Sequence, residues 1–305
     1  MAISIGIAGV GKIAQDQHIP VLDASPRFDL VAAASRHGKL EGRPTHTNLT
    51  DLLAAEQVDA VALCQPPQVR FEAAREALLA GKHVFLEKPP GATLSEIELL
   101  RDIARNAGVT LFASWHSRYA SGVEPARAWL QGKTLTRVEI EWKEDVRHWH
   151  PGQAWIWEAG GMGVFDPGIN ALSIATAILP PFFLKGGVVE LPENRASPIA
   201  AELDFTDADG TAIHAAFDWR QTGPQTWDIR VETDGGCLVL SKGGSEMTID
   251  GEPQSLPPEA EYRGLYDRFA DLVEAGQSDV DVSPLRHVAD AYLRAERRLV
   301  EPFHD

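Results

Sequence analysis

Two cysteines, three methionines and four tyrosines are scarce supplies for 305 residues, and 44 acidic side chains outnumber 28 basic ones. Each shortage excludes something. Cys64 and Cys237 lie far apart within strand-like runs, so they suggest reduced core thiols rather than a disulfide framework or a cysteine-built metal site. A formal net charge of −16 disfavours nonspecific attraction to nucleic acid or anionic lipid, and any anionic ligand has to be held locally. No apolar run is long enough to span a bilayer, and the start Met1-Ala2-Ile3-Ser4-Ile5 alternates like a strand with no basic stretch. A cytoplasmic protein without nucleic-acid or membrane partners is expected. Repeats, low-complexity tracts and long linkers are also missing, and this length suggests about two domains.

What is present alternates. Up to about Trp115, β-rich runs at Ile3–Ala8, Leu30–Ala34, Val58–Leu63, His83–Leu86 and Val109–Ala113 are separated by helical patterns at Gln68–Ala80 and Leu94–Ala107. Gly81 and Gly108 end these helices, and Thr93 with Glu96 forms a capping box before the second. This is the pattern of a doubly wound parallel sheet. After a helix at about Gly122–Leu130 the runs lengthen and alternate: Thr136–Trp142, Ile199–Phe205, Thr211–Trp219, Trp227–Thr233, Cys237–Leu240 and Met247–Ile249. Asp-Gly and Gly-Gly turns join several of them, as in antiparallel hairpins. Helices at about Glu259–Ala275 and Pro284–Val300 close the chain. The expected fold is α/β, with a Rossmann domain over residues 1–118 and an α/β domain with a large, mainly antiparallel sheet over 119–305, whose last helix can pack back on the first domain.

Directly after the first strand, Gly9-Val10-Gly11-Lys12-Ile13-Ala14 fits G-x-G-x-x-G/A. Gly9 suits the tight turn, Gly11 the close approach of a pyrophosphate and Ala14 helix–strand packing, so Gly9, Gly11, Lys12 and Ile13 are candidate dinucleotide contacts. The second strand ends in Ser35-Arg36, with no acid to hold ribose hydroxyls. A hydroxyl and a guanidinium suit a 2′-phosphate, so NADP is expected alongside NAD, although Arg36 also reads as a solvated strand end. Gln65, Pro66 and Pro67 follow the next long strand at the same sheet edge and are assigned to the nicotinamide side. Glu87-Lys88-Pro89-Pro90 lies at that edge too, and Glu87 and Lys88 join the cofactor candidates. Lys88 is able to hydrogen-bond a hydroxyl and stabilise growing alkoxide character; its plainer reading is a surface ion pair with Glu87.

Gly160-Gly161-Met162-Gly163-Val164-Phe165-Asp166-Pro167 places one carboxylate before an apolar run to Leu179. Asp166 with Pro167 has the form of a helix cap and also of a catalytic carboxylate set behind a glycine-rich turn. Asn170, four residues on, shares its helical face.

With Gln65-Pro66-Pro67, Glu87-Lys88-Pro89 and a Gly-Gly-x-Gly-x-x-Asp segment on one chain, the sequence resembles the glucose-fructose oxidoreductase/inositol dehydrogenase (Gfo/Idh/MocA) family over essentially its full length. Ser35-Arg36-His37, Trp115-His116-Ser117-Arg118, Trp142-Lys143-Glu144-Asp145, Trp149-His150-Pro151-Gly152 and Phe165-Asp166-Pro167-Gly168-Ile169-Asn170 resemble, within it, the bacterial aldose 1-dehydrogenases acting on L-arabinose and D-galactose. The resemblance implies NAD(P)-dependent oxidation of the anomeric C1 hydroxyl of a pyranose to a lactone. It also implies His116, Glu144, Trp149, His150 and Asn170 as sugar-binding residues, with Lys88 and Asp166 catalytic. Many members carry a histidine four residues after that aspartate, where this chain has Asn170, and a neutral amide takes no proton at ordinary pH. Two assignments stay open: Asp166 as base with Lys88 polarising the hydroxyl, or Lys88 as base with Asp166 as its partner. Trp155 and Trp157 read equally as core or ligand platform, His148-Trp149-His150 lacks the further ligands a metal would need, and no metal is expected. Another sugar, an inositol-like polyol or a non-catalytic dinucleotide sensor are the alternatives. A homo-oligomer through the antiparallel sheet is the expected partner arrangement.

Overall fold

The structure, a computed structural model, describes residues 2–304. They form two compact units. One comprises the chain up to His116 together with Tyr262–Val282; the other comprises Ser117–Glu261 together with the chain from Ser283 onward.

The first unit holds six parallel strands: β1 (Ile3–Ala8), β2 (Phe28–Ala34), β3 (Thr45–His46), β4 (Ala60–Leu63), β5 (His83–Leu86) and β6 (Leu111–Ala113). Their order is β3-β2-β1-β4-β5-β6, a doubly wound sheet whose direction of progress reverses between β1 and β4. All four residues of β4 are buried, as expected of a parallel strand covered on both faces. The helix Leu94–Ala107 has the capping box read from sequence: Glu96 N–H donates to Thr93 Oγ1 at 3.3 Å while Glu96 Oε2 accepts from Thr93 N–H at 3.3 Å. Gly108 ends it at φ +67°. β3 and the helix Leu49–Ala55, capped by Asn48, are additional to the elements read from sequence.

Residues 262–282 differ from expectation by belonging to the first unit, and aromatic packing explains why. On the helix Glu261–Ala275, Tyr266 stacks on Phe85 at 4.8 Å, and Phe269 stacks on Phe28 at 6.1 Å and on Phe112 at 6.0 Å. Each buried ring contributes roughly 2–3 kcal/mol, so this helix completes the sheet's cover.

The second unit carries β7 (Leu135–Lys143), β8 (Phe182–Pro192), β9 (Ala200–Asp207), β10 (Ala212–Asp218), β11 (Thr226–Thr233), β12 (Gly236–Ser241), β13 (Glu246–Ile249), β14 (Glu252–Pro253) and β15 (Glu296–Val300). They order as β14-β13-β12-β11-β7-β10-β9-β8-β15, antiparallel except for β7 with β10 and β8 with β15. Alternation sorts the faces: Ile213, Ala215 and Phe217 of β10 are buried, while His214 points outward between Asp204 and Glu202. The closing helix spans Ser283–Arg294 and stops short of Val300, because Glu296–Val300 pairs with β8 instead. β8 itself escaped the sequence reading: Pro180-Pro181 and Gly186-Gly187 interrupt its pattern, and its register shifts between Leu184 and Gly186. Cys64 and Cys237 are free and half-buried rather than core thiols.

Candidate active site

The glycine-rich turn leaves β1 beside the turn that leaves β4, where the strand order reverses. Gly9 adopts φ +92°, and a Cβ there would lie 2.9 Å from the Gln65 backbone nitrogen, so only glycine lets the two turns meet. A Cβ on Gly11 would meet no protein atom within 4 Å, which leaves room beside the turn that the protein does not itself fill. Ile13 is 39% exposed, a large apolar side chain offered to whatever occupies the turn. The exposed Lys12 pairs with Asp16, and Ala14–His18 forms a π-helical turn that runs on into the helix Ile19–Ala24. Ser35 Oγ accepts from Val10 N–H at 3.4 Å and Gly38 N–H at 3.2 Å, tying the end of β2 to the turn. Arg36 is exposed and pairs with no carboxylate among the described residues. Pro66 is exposed, Pro67 opens the helix Pro67–Leu79, and Gln65 Oε1 is buried without a hydrogen-bond partner, an amide oxygen left for a donor. These features fit a dinucleotide: Gly9, Gly11, Lys12 and Ile13 would hold the pyrophosphate region, Ser35 and Arg36 the adenosine end, and Gln65-Pro66-Pro67 the nicotinamide side.

β5 delivers Glu87 and Lys88, and the Lys88-Pro89 peptide is cis. Lys88 is half-buried, whereas Glu87 is only 3% exposed and turns its carboxylate inward. Tyr262 donates its hydroxyl to Glu87 Oε1 at 2.7 Å, and Nε2 of the fully buried His18 stands 3.5 Å from the same oxygen. The other ring nitrogen of His18 is 2.8 Å from the Tyr266 hydroxyl. Burial pushes the Glu87 carboxyl up, but the His18 imidazolium, with His116 and Lys88 behind it, outweighs that and holds it down at about 2. Burial pushes His18 down, but the Cys64 side chain and the Glu87 carboxylate hold it up at about 10. Glu87 and His18 thus make a buried ion pair, so the Glu87 carboxylate is not a surface group. His116 stacks on Tyr262 at 5.4 Å, so that ring both positions His116 and anchors Glu87.

In the second unit, β7 ends immediately before Glu144. The Glu144 carboxylate is 3% exposed and accepts from Trp227 Nε1 at 2.9 Å and from Trp219 Nε1 at 3.3 Å. Sheet order dictates this: β10 and β11 flank β7, so the residue after β10 and one at the start of β11 both reach the end of β7. His150 Nε2 lies 3.6 Å from Asp166 Oδ2 and 3.9 Å from Glu144 Oε1, which places the imidazole before two carboxylates. Asp166 is 4% exposed in the first turn of the helix Phe165–Ile178. It is not the cap, since Val164 holds that position; its N–H donates to Gly163 O at 2.8 Å. The helix dipole there favours the ionised carboxylate. A Cβ on Gly163, at φ +54°, would fall 2.2 Å from Pro198 O, so this glycine is required by the protein's own backbone. Asn170 follows one turn later, half-buried, on the same face as Asp166. Trp149, 38% exposed, leans on Trp227 at 5.2 Å. Trp157 is buried against Trp219 at 5.1 Å and is core, while Trp155 is half-buried.

Of the residues marked from sequence, Glu144, His150 and Asp166 therefore form one cluster with Asn170 and Trp149 alongside. Lys88 and His116 belong to the first unit, linked by Glu87 and Tyr262. From sequence, Trp219 and Trp227 are strand residues only, and no local pattern marks His18 or Tyr262. Strand order, which no local pattern encodes, was the missing signal for the tryptophans. Among the described residues no group of three or more His, Cys, Asp or Glu is arranged to hold a metal.

The family model GFO_IDH_MocA, an oxidoreductase family with an NAD-binding Rossmann fold, matches residues 3–114. Over 305 residues the chain is 44% identical to galactose 1-dehydrogenase of Pseudomonas fluorescens, with 99% of each chain covered. The crystal structure of a D-galactose-1-dehydrogenase protein from Rhizobium etli matches with a TM-score of 0.96 at 59% identity, covering 99% of this chain and 98% of that one. The 3-ketoreductase KijD10 of Actinomadura kijaniata, solved with NADP, shares the fold at a TM-score of 0.84 and 19% identity, over 98% of this chain and 100% of that one. With the glycine-rich turn at the switch point and likeness along its whole length, this chain belongs to the Gfo/Idh/MocA family of oxidoreductases with an NAD-binding Rossmann fold.

Proposed function

We propose that this protein is an NAD(P)-dependent aldose 1-dehydrogenase that oxidises the C1 hydroxyl of a pyranose, D-galactose or L-arabinose, to the lactone. The observation that carries this reading is the cluster of Glu144, His150 and Asp166 beside Trp149 and Trp227. A sugar presents hydroxyl edges and apolar C–H faces, and carboxylates and imidazole beside indole suit both. The likeness to galactose 1-dehydrogenases at 44% and 59% identity supports the same substrate class. L-Arabinose and D-galactose share ring stereochemistry and differ by the exocyclic CH₂OH, so a site with room for that group takes both.

NAD(P), when bound, supplies the two-electron oxidant; the protein's share is the hydroxyl proton and the alignment of the ring. Lys88 hydrogen-bonds the C1 oxygen and stabilises its growing negative charge. Asp166 takes the hydroxyl proton, with the His150 imidazole beside it, and Asn170 orients a neighbouring hydroxyl. Glu144, pinned by two indoles, offers a fixed acceptor, and His116 and Trp149 complete the sugar contacts. Ser35 and Arg36 support use of NADP as well as NAD. Self-association through the outer face of the nine-stranded sheet goes with this reading, and sedimentation as a monomer would remove it. Two free cysteines support a cytoplasmic location, testable by cell fractionation.

The deciding experiment follows NAD(P)H absorbance at neutral to alkaline pH over a panel of aldoses and polyols. Reduction with D-galactose and L-arabinose is expected; reduction with polyols only reassigns the substrate, and none with any member leaves a non-catalytic sensor.

A further inference from the structure

Arg70 sits in the helix Pro67–Leu79 and is 2% exposed. One terminal nitrogen of its guanidinium donates to the main-chain carbonyls of Glu87 and Pro89, and the other donates to the carbonyl of Gln65. Those three oxygens lie beyond the carboxyl ends of β4 and β5, where the strands have run out of ladder partners. They also belong to the two turns already assigned to the cofactor edge. The Glu87 carbonyl is part of the peptide that precedes Lys88, and the Pro89 carbonyl is part of the peptide that follows Pro89. Holding both pins the main chain on either side of the Lys88 side chain. The bond to Gln65 ties the Gln65-Pro66-Pro67 turn to the same head group.

A buried guanidinium is an expensive way to fill space. It gives up hydration that an apolar side chain of similar volume would never have needed. What it offers in return is geometry: a rigid planar fork of donors can satisfy several carbonyls at once in fixed directions, which neither methionine nor the single ammonium of lysine can reproduce. Three acceptors from two turns on one fork point to a positional task rather than to bulk packing.

We propose that Arg70 is a positioning residue for Lys88, acting through the carbonyls of Glu87, Pro89 and Gln65, so that the lysine turn and the nicotinamide-side turn are held as one piece. This rests on the reading of Lys88 as the group that acts on the C1 hydroxyl. Arg70 itself touches neither sugar nor dinucleotide in this scheme; its effect is on where the ammonium stands when the chemical step occurs.

The test compares Arg70→Met, Arg70→Lys and Lys88→Met with the parent, using D-galactose and its C1-deuterated form with saturating cofactor. Arg70→Met is expected to keep the parent's near-ultraviolet circular dichroism while kcat falls roughly 10–100-fold, the loss typical of a reactive group displaced by about an ångström. KM for the sugar should stay within about threefold, since the loss is in the chemical step, and the deuterium isotope effect on kcat should rise for the same reason. Arg70→Lys should recover part of the lost kcat. A folded Arg70→Met with unchanged kcat, or one whose only change is a lower melting temperature, overturns the inference. Should Arg70→Met not fold, Arg70→Lys decides: reduced kcat with a raised isotope effect supports the positioning role, and unchanged kcat overturns it. Lys88→Met separates this inference from the reading beneath it. Retained turnover there removes Lys88 as the acting group, and Arg70's role with it; lost turnover beside a normal Arg70→Met leaves Lys88 in place and removes Arg70 alone.

Discussion

The imidazole Nε2 of His150 stands 3.6 Å from Oδ2 of Asp166. The sequence had narrowed the proton question to Asp166 against Lys88, because Asn170 occupies the position where many relatives carry histidine. The structure returns an imidazole to the carboxylate from a different stretch of chain. Asp166→Asn should lower kcat by about two to four orders of magnitude, the usual worth of a positioned base, while the dissociation constant for NAD(P) stays near the parent's. Stopped-flow turnover and fluorescence titration measure the two quantities. Turnover retained by Asp166→Asn would move the base to Lys88.

Gly9 and Gly11 look alike in the glycine-rich turn but should respond differently to alanine. At Gly9 a Cβ meets the Gln65 backbone nitrogen at 2.9 Å and the residue sits at φ +92°, so Gly9→Ala should lower the melting temperature as well as cofactor affinity. At Gly11 the protein leaves the space open, so Gly11→Ala should melt with the parent and lose cofactor affinity alone. Equal melting losses in both variants would contradict the assignment of that space to the dinucleotide.

Arg36 has no protein carboxylate to serve among the described residues, so its removal should be felt mainly by a ligand. Arg36→Ala is expected to weaken NADP roughly 10–100-fold, the worth of a charge-assisted hydrogen bond or two, and NAD far less. The ratio of kcat/KM values for the two cofactors reads this directly. Parallel losses for both would show that the guanidinium does not meet a 2′-phosphate.

The His18–Glu87 pair makes stability depend on pH in two directions. Glu87 is held down at about 2, so its contribution is present above the ordinary carboxylate value and is lost as pH falls toward about 2. His18 is held up at about 10, so its contribution is complete below the ordinary imidazole value and fades as pH rises toward about 10. The pair therefore counts most between roughly pH 4.5 and 6.5, where an unfolded chain carries both charges as well. His18→Gln should cost about 3 kcal/mol near pH 5.5, as expected when one member of a buried pair is removed, and less by pH 9. Urea unfolding at the two pH values gives the comparison: a cost independent of pH would mean that His18 has the same pKa folded and unfolded, and a cost that grows toward pH 9 would mean that it is buried neutral.

How much of this was legible in the sequence depended on how local the signal was. The capping box at Thr93 and Glu96, the αL glycine at Gly108 and the buried run Ala60–Leu63 were readable because their causes lie within a few residues. β8 was not, since prolines before it and glycines within it look like a loop, and its pairing with β9 and β15 is long-range. The same division runs through the candidate site. Glu144 and His150 were marked only through likeness to a family, and Asp166 and Asn170 also by their place behind a glycine-rich turn and on one helical face, yet the indoles of Trp219 and Trp227 on Glu144 follow only from β10 and β11 lying on either side of β7. Nothing local in the sequence singles out Arg70 or His18; their burial, 2% and 0% exposed, and what surrounds them follow only from the fold.

The placement of Tyr262–Val282 with the first sheet bears on how the chain is made. A ribosome that has released every strand from β1 to β6 has not yet supplied Tyr266 or Phe269, the rings that cover Phe85, nor the Tyr262 hydroxyl that Glu87 requires. The nascent nucleotide-binding half must wait, with part of its aromatic face bare, while β7 to β14, eight of the nine strands of the second sheet, are translated. Expressed as a fragment ending near residue 118, it would carry its glycine-rich turn intact and still lack the layer that makes it a stable body.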